Sequence, residues 1–163
     1  GSTWPKDEAL LVKYIKENPN YNYIIAPHEL LQISVLQKQT NALLFSKADN
    51  TNIKNSNVLI IDSIGILSNI YKYGDLAYIG GGFGSGIHNV LEAATFGLPL
   101  VFGPNYQKFK EANELIELGG AKSISNYSEL EITILSFINF NKSIAKNYIK
   151  SNAGATDIII SSI

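Results

Sequence analysis

His88, Asn89 and Glu92 follow closely on a run of glycines, Gly80-Gly81-Gly82-Phe83-Gly84-Ser85-Gly86. Glycines let a ligand approach the backbone closely, because no Cβ stands in the way. An imidazole and a side-chain amide can each donate a hydrogen bond to an anion. Glu92 is the odd member, since a carboxylate repels phosphate but accepts hydrogen bonds from hydroxyl groups. Phosphate at the turn with ribose or sugar hydroxyls one helical turn further on is the arrangement a sugar nucleotide requires.

The elements that must position these groups are legible in Asp75–Pro104. Leu76–Ile79 is an apolar run of strand length ending in glycines. Ile87–Phe96 recurs at helical spacing through Ile87, Leu91 and Ala94, and Leu98–Phe102 is a second apolar run closed by Gly103-Pro104. Strand, glycine-rich turn, helix and strand make one βαβ unit. A helix beginning at Ile87 would aim unpaired N–H groups and a partial positive charge at an anion. It would also put His88 and Glu92 on one face. Glycine-rich turns serve close packing in many α/β domains as well, and it is the three polar residues sharing the first turn that favour a ligand. The run is not the dinucleotide pattern G-x-G-x-x-G followed by a ribose-binding acid, because the strand that follows is wholly apolar.

Composition narrows the classes. The chain has 163 residues, enough for one domain with a core. Thirteen lysine or arginine residues against 14 acids argue against nucleic-acid or membrane-surface binding on charge. All the strong bases are lysines, so an anion site must use Lys, His or backbone N–H in place of a guanidinium fork. Cysteine is absent, which removes disulfides, thiolate metal sites and a cysteine nucleophile. His28 and His88 lack metal-ligand spacing with any acid cluster. Ser85 lies between glycines but outside a G-x-S-x-G elbow. No apolar run has the length of a membrane span, and no signal peptide is expected. The Gly-Ser start without an initiator Met reads as a segment of a longer protein.

Along the chain, helices are predicted at Asp7–Glu17, from Pro27-His28-Glu29 to Gln39, and at Ile66–Tyr73, Gln107–Leu118, Tyr127–Phe140, Lys142–Asn152 and Ala155–Ile163. Strands are predicted at Tyr21–Ala26, Ala42–Ser46, Val58–Ile61 and Ala121–Ile124, and Lys47–Asn57 reads as an exposed loop. The tyrosines read as core and rim packing. Alternating strands and helices imply an α/β fold, a single Rossmann-like doubly wound parallel sheet over residues 1–163. Such sheets bind ligands beyond the carboxyl ends of their strands. Ser2-Thr3, Pro27-His28-Glu29, Ser63-Ile64-Gly65 and Gly80–Asn89 all fall at that edge, so one site built from distant segments is expected.

Taken in order, Gly1-Ser2-Thr3-Trp4, Ile25-Ala26-Pro27-His28-Glu29, Asp62-Ser63-Ile64-Gly65, Gly80-Gly81-Gly82-Phe83, Gly86-Ile87-His88-Asn89-Val90-Leu91-Glu92-Ala93-Ala94 and Gly97-Leu98-Pro99-Leu100-Val101-Phe102-Gly103-Pro104 resemble the C-terminal half of 3-deoxy-D-manno-octulosonic acid (Kdo) transferases. These are the lipid A glycosyltransferases of Gram-negative bacteria. The resemblance runs over nearly the whole chain, and its most specific part is His88–Glu92. It implies the C-terminal half of a GT-B fold, with the donor CMP-Kdo held by this half. The other half would hold the lipid A precursor, the contact with the membrane at the cytoplasmic face of the bacterial inner membrane, and the catalytic carboxylate. It implies no catalytic residue in this chain, no cofactor and no metal, and a soluble domain inactive by itself. Carried over by motif, Ser2, Thr3, Pro27, His28, Ile64, Gly65, Gly82, Phe83, Gly86, His88, Asn89 and Glu92 would line the donor side.

The chain also departs from the family pattern. Many members have an arginine between the equivalents of Pro27 and His28, prolines or glycines at the equivalents of Ile87, Val90 and Ala93, and an acid at the equivalent of Ile66. Lys108 or Lys110 would have to stand in for the missing arginine. The alternatives left open are a GT-B enzyme using a UDP-sugar and a non-catalytic nucleotide-binding module.

Overall fold

The computed structural model describes residues 1–152. The helix expected at Ala155–Ile163 lies outside the described residues. Helix α1 (Pro5–Glu17) leads to strand β1 (Tyr23–Ile25). Helix α2 (Ile33–Thr40), entered through a 3-10 turn at Leu30–Gln32, leads to β2 (Leu43–Leu44), and β3 (Val58–Ile60) follows. Then come α3 (Leu67–Ile70), β4 (Ala77–Ile79), α4 (Leu91–Ala94), β5 (Leu100–Phe102), α5 (Lys110–Glu117), β6 (Ala121–Ser123), α6 (Tyr127–Ser136) and α7 (Ser143–Asn152).

All strand pairs are parallel, as the alternation with helices requires. In place of one continuous sheet the strands form two of three strands each, β2-β3-β1 and β4-β5-β6. Gly1–Thr3 runs between them. Thr3 N donates to Ala26 O at 3.2 Å and His28 N to Thr3 O at 2.8 Å, a parallel bridge at Pro27. On the other side Gly80 N donates to Gly1 O at 2.9 Å, and Gly1 N donates to Tyr78 O. The two sheets are thus joined edge to edge by backbone hydrogen bonds. Ser2, at φ 54, breaks the extended run between the two bridges, which is why no regular seventh strand forms.

Strands β4 and β5 are buried along their whole length, as strands with helices on both faces must be. Ala77, Ile79, Leu100 and Phe102 pack with Val90, Ala93 and Ala94 around α4, with Ala112 and Leu115 of α5, and with Ala145 and Tyr148 of α7. Tyr78 and Val101 point the other way, into a core shared with Tyr14 of α1 and Leu130 of α6. A third cluster sets Val12 and Ile15 of α1 and Leu36 of α2 against Ile25, Val58 and Ile60. Burying each such side chain is worth roughly 1.5–3 kcal/mol. No helix among the described residues is long and apolar enough to cross a membrane.

Two glycines are required by this packing. A Cβ on Gly80 would stand 2.1 Å from Ser2 O, and one on Gly82 would stand 2.6 Å from Gly103 N. In both cases the obstacle is another stretch of backbone, which cannot yield as a flexible side chain would. Gly84 differs: its nearest neighbour would be Gly81 O at 3.4 Å, and its φ is not positive. Gly82→Ala should therefore destabilise the chain by about 1–3 kcal/mol, whereas Gly84→Ala should stay within about 0.5 kcal/mol of the parent. Urea denaturation of the two variants side by side checks this, and equal midpoints would contradict it.

Candidate functional site at the carboxyl edge

Behind the carboxyl edge of the strands stands Asp7, in the first turn of α1 and 0 % exposed. Its Oδ2 accepts from Trp4 N and from Gly81 N, each at 2.9 Å, and its Oδ1 accepts from the Tyr78 hydroxyl at 2.9 Å. Burial first, and then this carboxylate, hold the Tyr78 phenol well above its ordinary range. The three donors fasten the start of α1 to β4 and to the glycine turn.

Trp4 is placed by that anchor. Its ring stacks on His28, with centroids 4.4 Å apart and 21° between planes, and its Nε1–H donates to His88 Nε2 at 2.9 Å. His28 and His88 have centroids 4.6 Å apart. Residues 4, 28 and 88 therefore form one cluster at the end of the strands. Burial first, and then the neighbouring His28, lower the His88 pKa below its ordinary 6.5, with Asp7 opposing.

The helix expected from Ile87 begins only at Leu91 and is four residues long. Before it, His88 N turns back to Gly80 O at 3.1 Å, and Asn89 Oδ1 accepts from Leu91 N at 2.9 Å, which starts the helix late. His88 and Glu92 are consequently not one helical turn apart on a shared face. Four residues also align too few peptide dipoles for the expected anion site at a helix N-terminus. Glu92 is held instead by Asn89, whose Nδ2 donates to Oε1 at 3.2 Å.

The glycine turn spends much of its own hydrogen-bonding capacity internally. Gly81 N donates to Asp7, Gly84 N and Gly86 N both donate to Gly81 O, and Asn105 N donates to Gly82 O. Gly82 N, Phe83 N and Ser85 N donate no hydrogen bond among the described residues, so part of the cradle of free amides expected for phosphate stays open. Beside the turn lies an open concavity of about 160 Å³, lined by Ile87, His88, Asn89, Val90, Leu91, Phe109 and Glu111. Lys108 Nζ donates to Ser85 O at 3.0 Å, so its cation sits on the turn, while Lys110 pairs with Glu114 at 3.6 Å along its own helix.

The remaining predicted site residues divide. Ser2 and Pro27 meet the cluster through backbone, as described above. Thr3 is buried and its hydroxyl donates to Glu8 Oε1 at 3.0 Å, so its side chain serves α1. Phe83 packs toward the core shared by α1 and α6, and Gly82 is taken up by Gly103. Gly86, at φ +139, lies against Lys108 and Phe109. Ile64 is 88 % exposed and Gly65 has open space around it; no hydrogen bond or ring contact links either to the histidine cluster among the described residues. Sequence reasoning missed Trp4, Asp7, Phe109 and Glu111. Asp7 looked like an ordinary first-turn acid, and the one available signal for Trp4 was a lone tryptophan beside Ser2-Thr3. No group of three or more His, Cys, Asp or Glu among the described residues could hold a metal ion.

Two parallel three-stranded sheets joined edge to edge and packed by helices make an α/β fold that a solved protein domain shares. The crystal structure of the C-terminal CMP-Kdo binding domain of WaaA from Acinetobacter baumannii superposes with a TM-score of 0.76 at 19% identity, over 91% of this chain and 86% of that one. In sequence, relatives named 3-deoxy-D-manno-octulosonic acid transferase cover most of the chain. The Aquifex aeolicus protein is 27% identical over 88% of the chain, and the Rickettsia typhi protein 29% identical over 93%. The chain spans 42% and 35% of the lengths of those two relatives. No family model matches it.

Two measurements test the geometry. Asp7→Ala leaves three buried donors without their acceptor and should cost about 3–5 kcal/mol in urea unfolding; a loss under about 1 kcal/mol would contradict its role as anchor. His88 has its pKa lowered by folding, so its contribution to stability is complete above pH 6.5 and is lost as pH falls from there toward the folded value, because the unfolded chain takes up the proton first. Unfolding midpoints should decline over that interval in the parent, and the decline should be smaller in His88→Gln.

Proposed function

We propose that this chain is the donor-binding domain of a Kdo transferase, holding CMP-Kdo while Kdo passes to a hydroxyl of a lipid A precursor. The observation that carries the reading is the set His88, Asn89 and Glu92 beside an open concavity at the carboxyl edge, in a chain whose relatives over most of its length are Kdo transferases. The donor combines a phosphodiester, a sugar carboxylate and several hydroxyls. Imidazole and ammonium groups from His28, His88 and Lys108 suit the anionic oxygens, and the carboxylates of Glu92 and Glu111 suit hydroxyls. The acceptor, its catalytic base and contact with the cytoplasmic face of the inner membrane belong, in this reading, to the part of the relatives' length that the chain does not span. Ile64, Gly65 and Phe83 remain in the proposed donor set only as residues that donor binding would have to recruit.

Without an arginine fork the nucleotide alone should bind weakly, with a dissociation constant of about 1 mM, or roughly −4 kcal/mol. Calorimetry should show CMP competing with CMP-Kdo more effectively than UDP does, and Glu92→Gln should weaken CMP-Kdo binding roughly ten-fold through loss of a charge-assisted bond while leaving the thermal melt in place. UDP outcompeting CMP would favour a UDP-sugar donor and overturn the reading. A lowered melt with unchanged affinity would assign Glu92 to the fold.

A further inference from the structure

The hydrogen bond from Trp4 to His88 has a chemical consequence for the imidazole that receives it. A ring nitrogen accepting an N–H carries no proton, so the neutral ring must hold its single proton on the other nitrogen. Trp4 Nε1–H donates to His88 Nε2 at 2.9 Å, and indole nitrogen can only donate. The proton of neutral His88 is therefore on Nδ1, which has no protein acceptor among the described residues.

We propose that Trp4 is a positioning residue that locks His88 in the Nδ1–H tautomer, so that the concavity His88 lines is offered an N–H donor for an anionic oxygen, a phosphate or a carboxylate. The proposal rests on the donor-domain reading for the identity of that anion, but the tautomer lock stands on the hydrogen bond alone. Of the turn's backbone N–H groups, Gly81 N, Gly84 N and Gly86 N are spent on protein acceptors while Gly82 N, Phe83 N and Ser85 N are not, so a His88 donor would act beside main-chain ones. Protonating His88 would set two N–H groups head to head at Trp4, so the same contact disfavours the imidazolium. The charged or titratable groups facing His88 are His28, Asp7 and the Gly1 amine, and Glu111 shares the concavity. His88 has its pKa lowered in this setting, in the direction that Trp4 would reinforce.

The test is long-range proton–nitrogen correlation NMR on the 15N-labelled chain and on Trp4→Phe, which keeps an aromatic ring against His28 but removes the N–H. The parent should show His88 protonated at Nδ1 and bare at Nε2. In Trp4→Phe the ring should shift toward the Nε2–H form, its pKa should rise, and CMP affinity should fall about ten-fold. A parent protonated at Nε2, or a variant with tautomer and pKa unchanged, overturns the lock; the parent measurement needs no variant and holds even if Trp4→Phe folds poorly. Titration with CMP and, separately, with free Kdo distinguishes phosphate from carboxylate by which one moves the His88 nitrogen signals. If backbone amides respond and those signals do not, the anion role is overturned. If CMP moves no signal anywhere, the donor-domain reading fails, and the tautomer result still decides the lock by itself.

Discussion

The Asp7 carboxylate bonds to an amide 74 positions away in the chain, and the site is arranged around that bond. A buried carboxylate is tolerated only where donors replace the water it has lost, and a lone one would cost several kcal/mol. Asp7 meets that condition with Trp4 N, the Tyr78 hydroxyl and Gly81 N. Those three donors belong to the start of α1, to β4 and to the glycine turn. Satisfying one charge therefore fixes three elements against one another. Because Trp4 is one of the three, its indole is carried onto His28, with its N–H on His88.

The same economy of close packing changes what the glycines do. Gly80 and Gly82 bring backbone against backbone, at Ser2 and Gly103, where a Cβ would collide. The turn satisfies part of its own hydrogen bonding, at Gly81 N, Gly84 N and Gly86 N, and an anion would be left the remaining amides and the side chains around them. Here the absence of arginine matters. Imidazole and ammonium donors bind oxygen singly, without the two parallel bonds of a guanidinium, and so select less firmly by shape. Lys108, held on the turn through Ser85 O, brings a cation to it.

Most of the scaffold was legible in the chain. Apolar runs such as Leu76–Ile79 and Leu98–Phe102 became β4 and β5, shortened at their ends, and the inward positions read on α5, Ala112 and Leu115, are fully buried. Period and punctuation report local geometry, and parallel α/β folds are built from local units. Helix starts were less legible. The apolar spacing of Ile87, Leu91 and Ala94 fits a helix from Ile87, but Asn89 caps Leu91 and His88 N returns to Gly80, bonds that period does not encode.

By itself the sequence determined the strand–helix alternation, the parallel pairing it entails, the glycine turn and the absence of arginine and cysteine, because each depends on residue type and neighbours a few positions away. Tertiary structure alone decided that Gly1–Thr3 would join two sheets, that Gly82 would meet Gly103, and that Asp7 would lie beneath the turn while Glu8 beside it turned toward Thr3. It also decided that Trp4 would reach His88, 84 positions away. Contacts of that kind depend on where whole elements come to rest, and a carboxylate or an indole carries no mark in the sequence of the distant donor or acceptor it will meet.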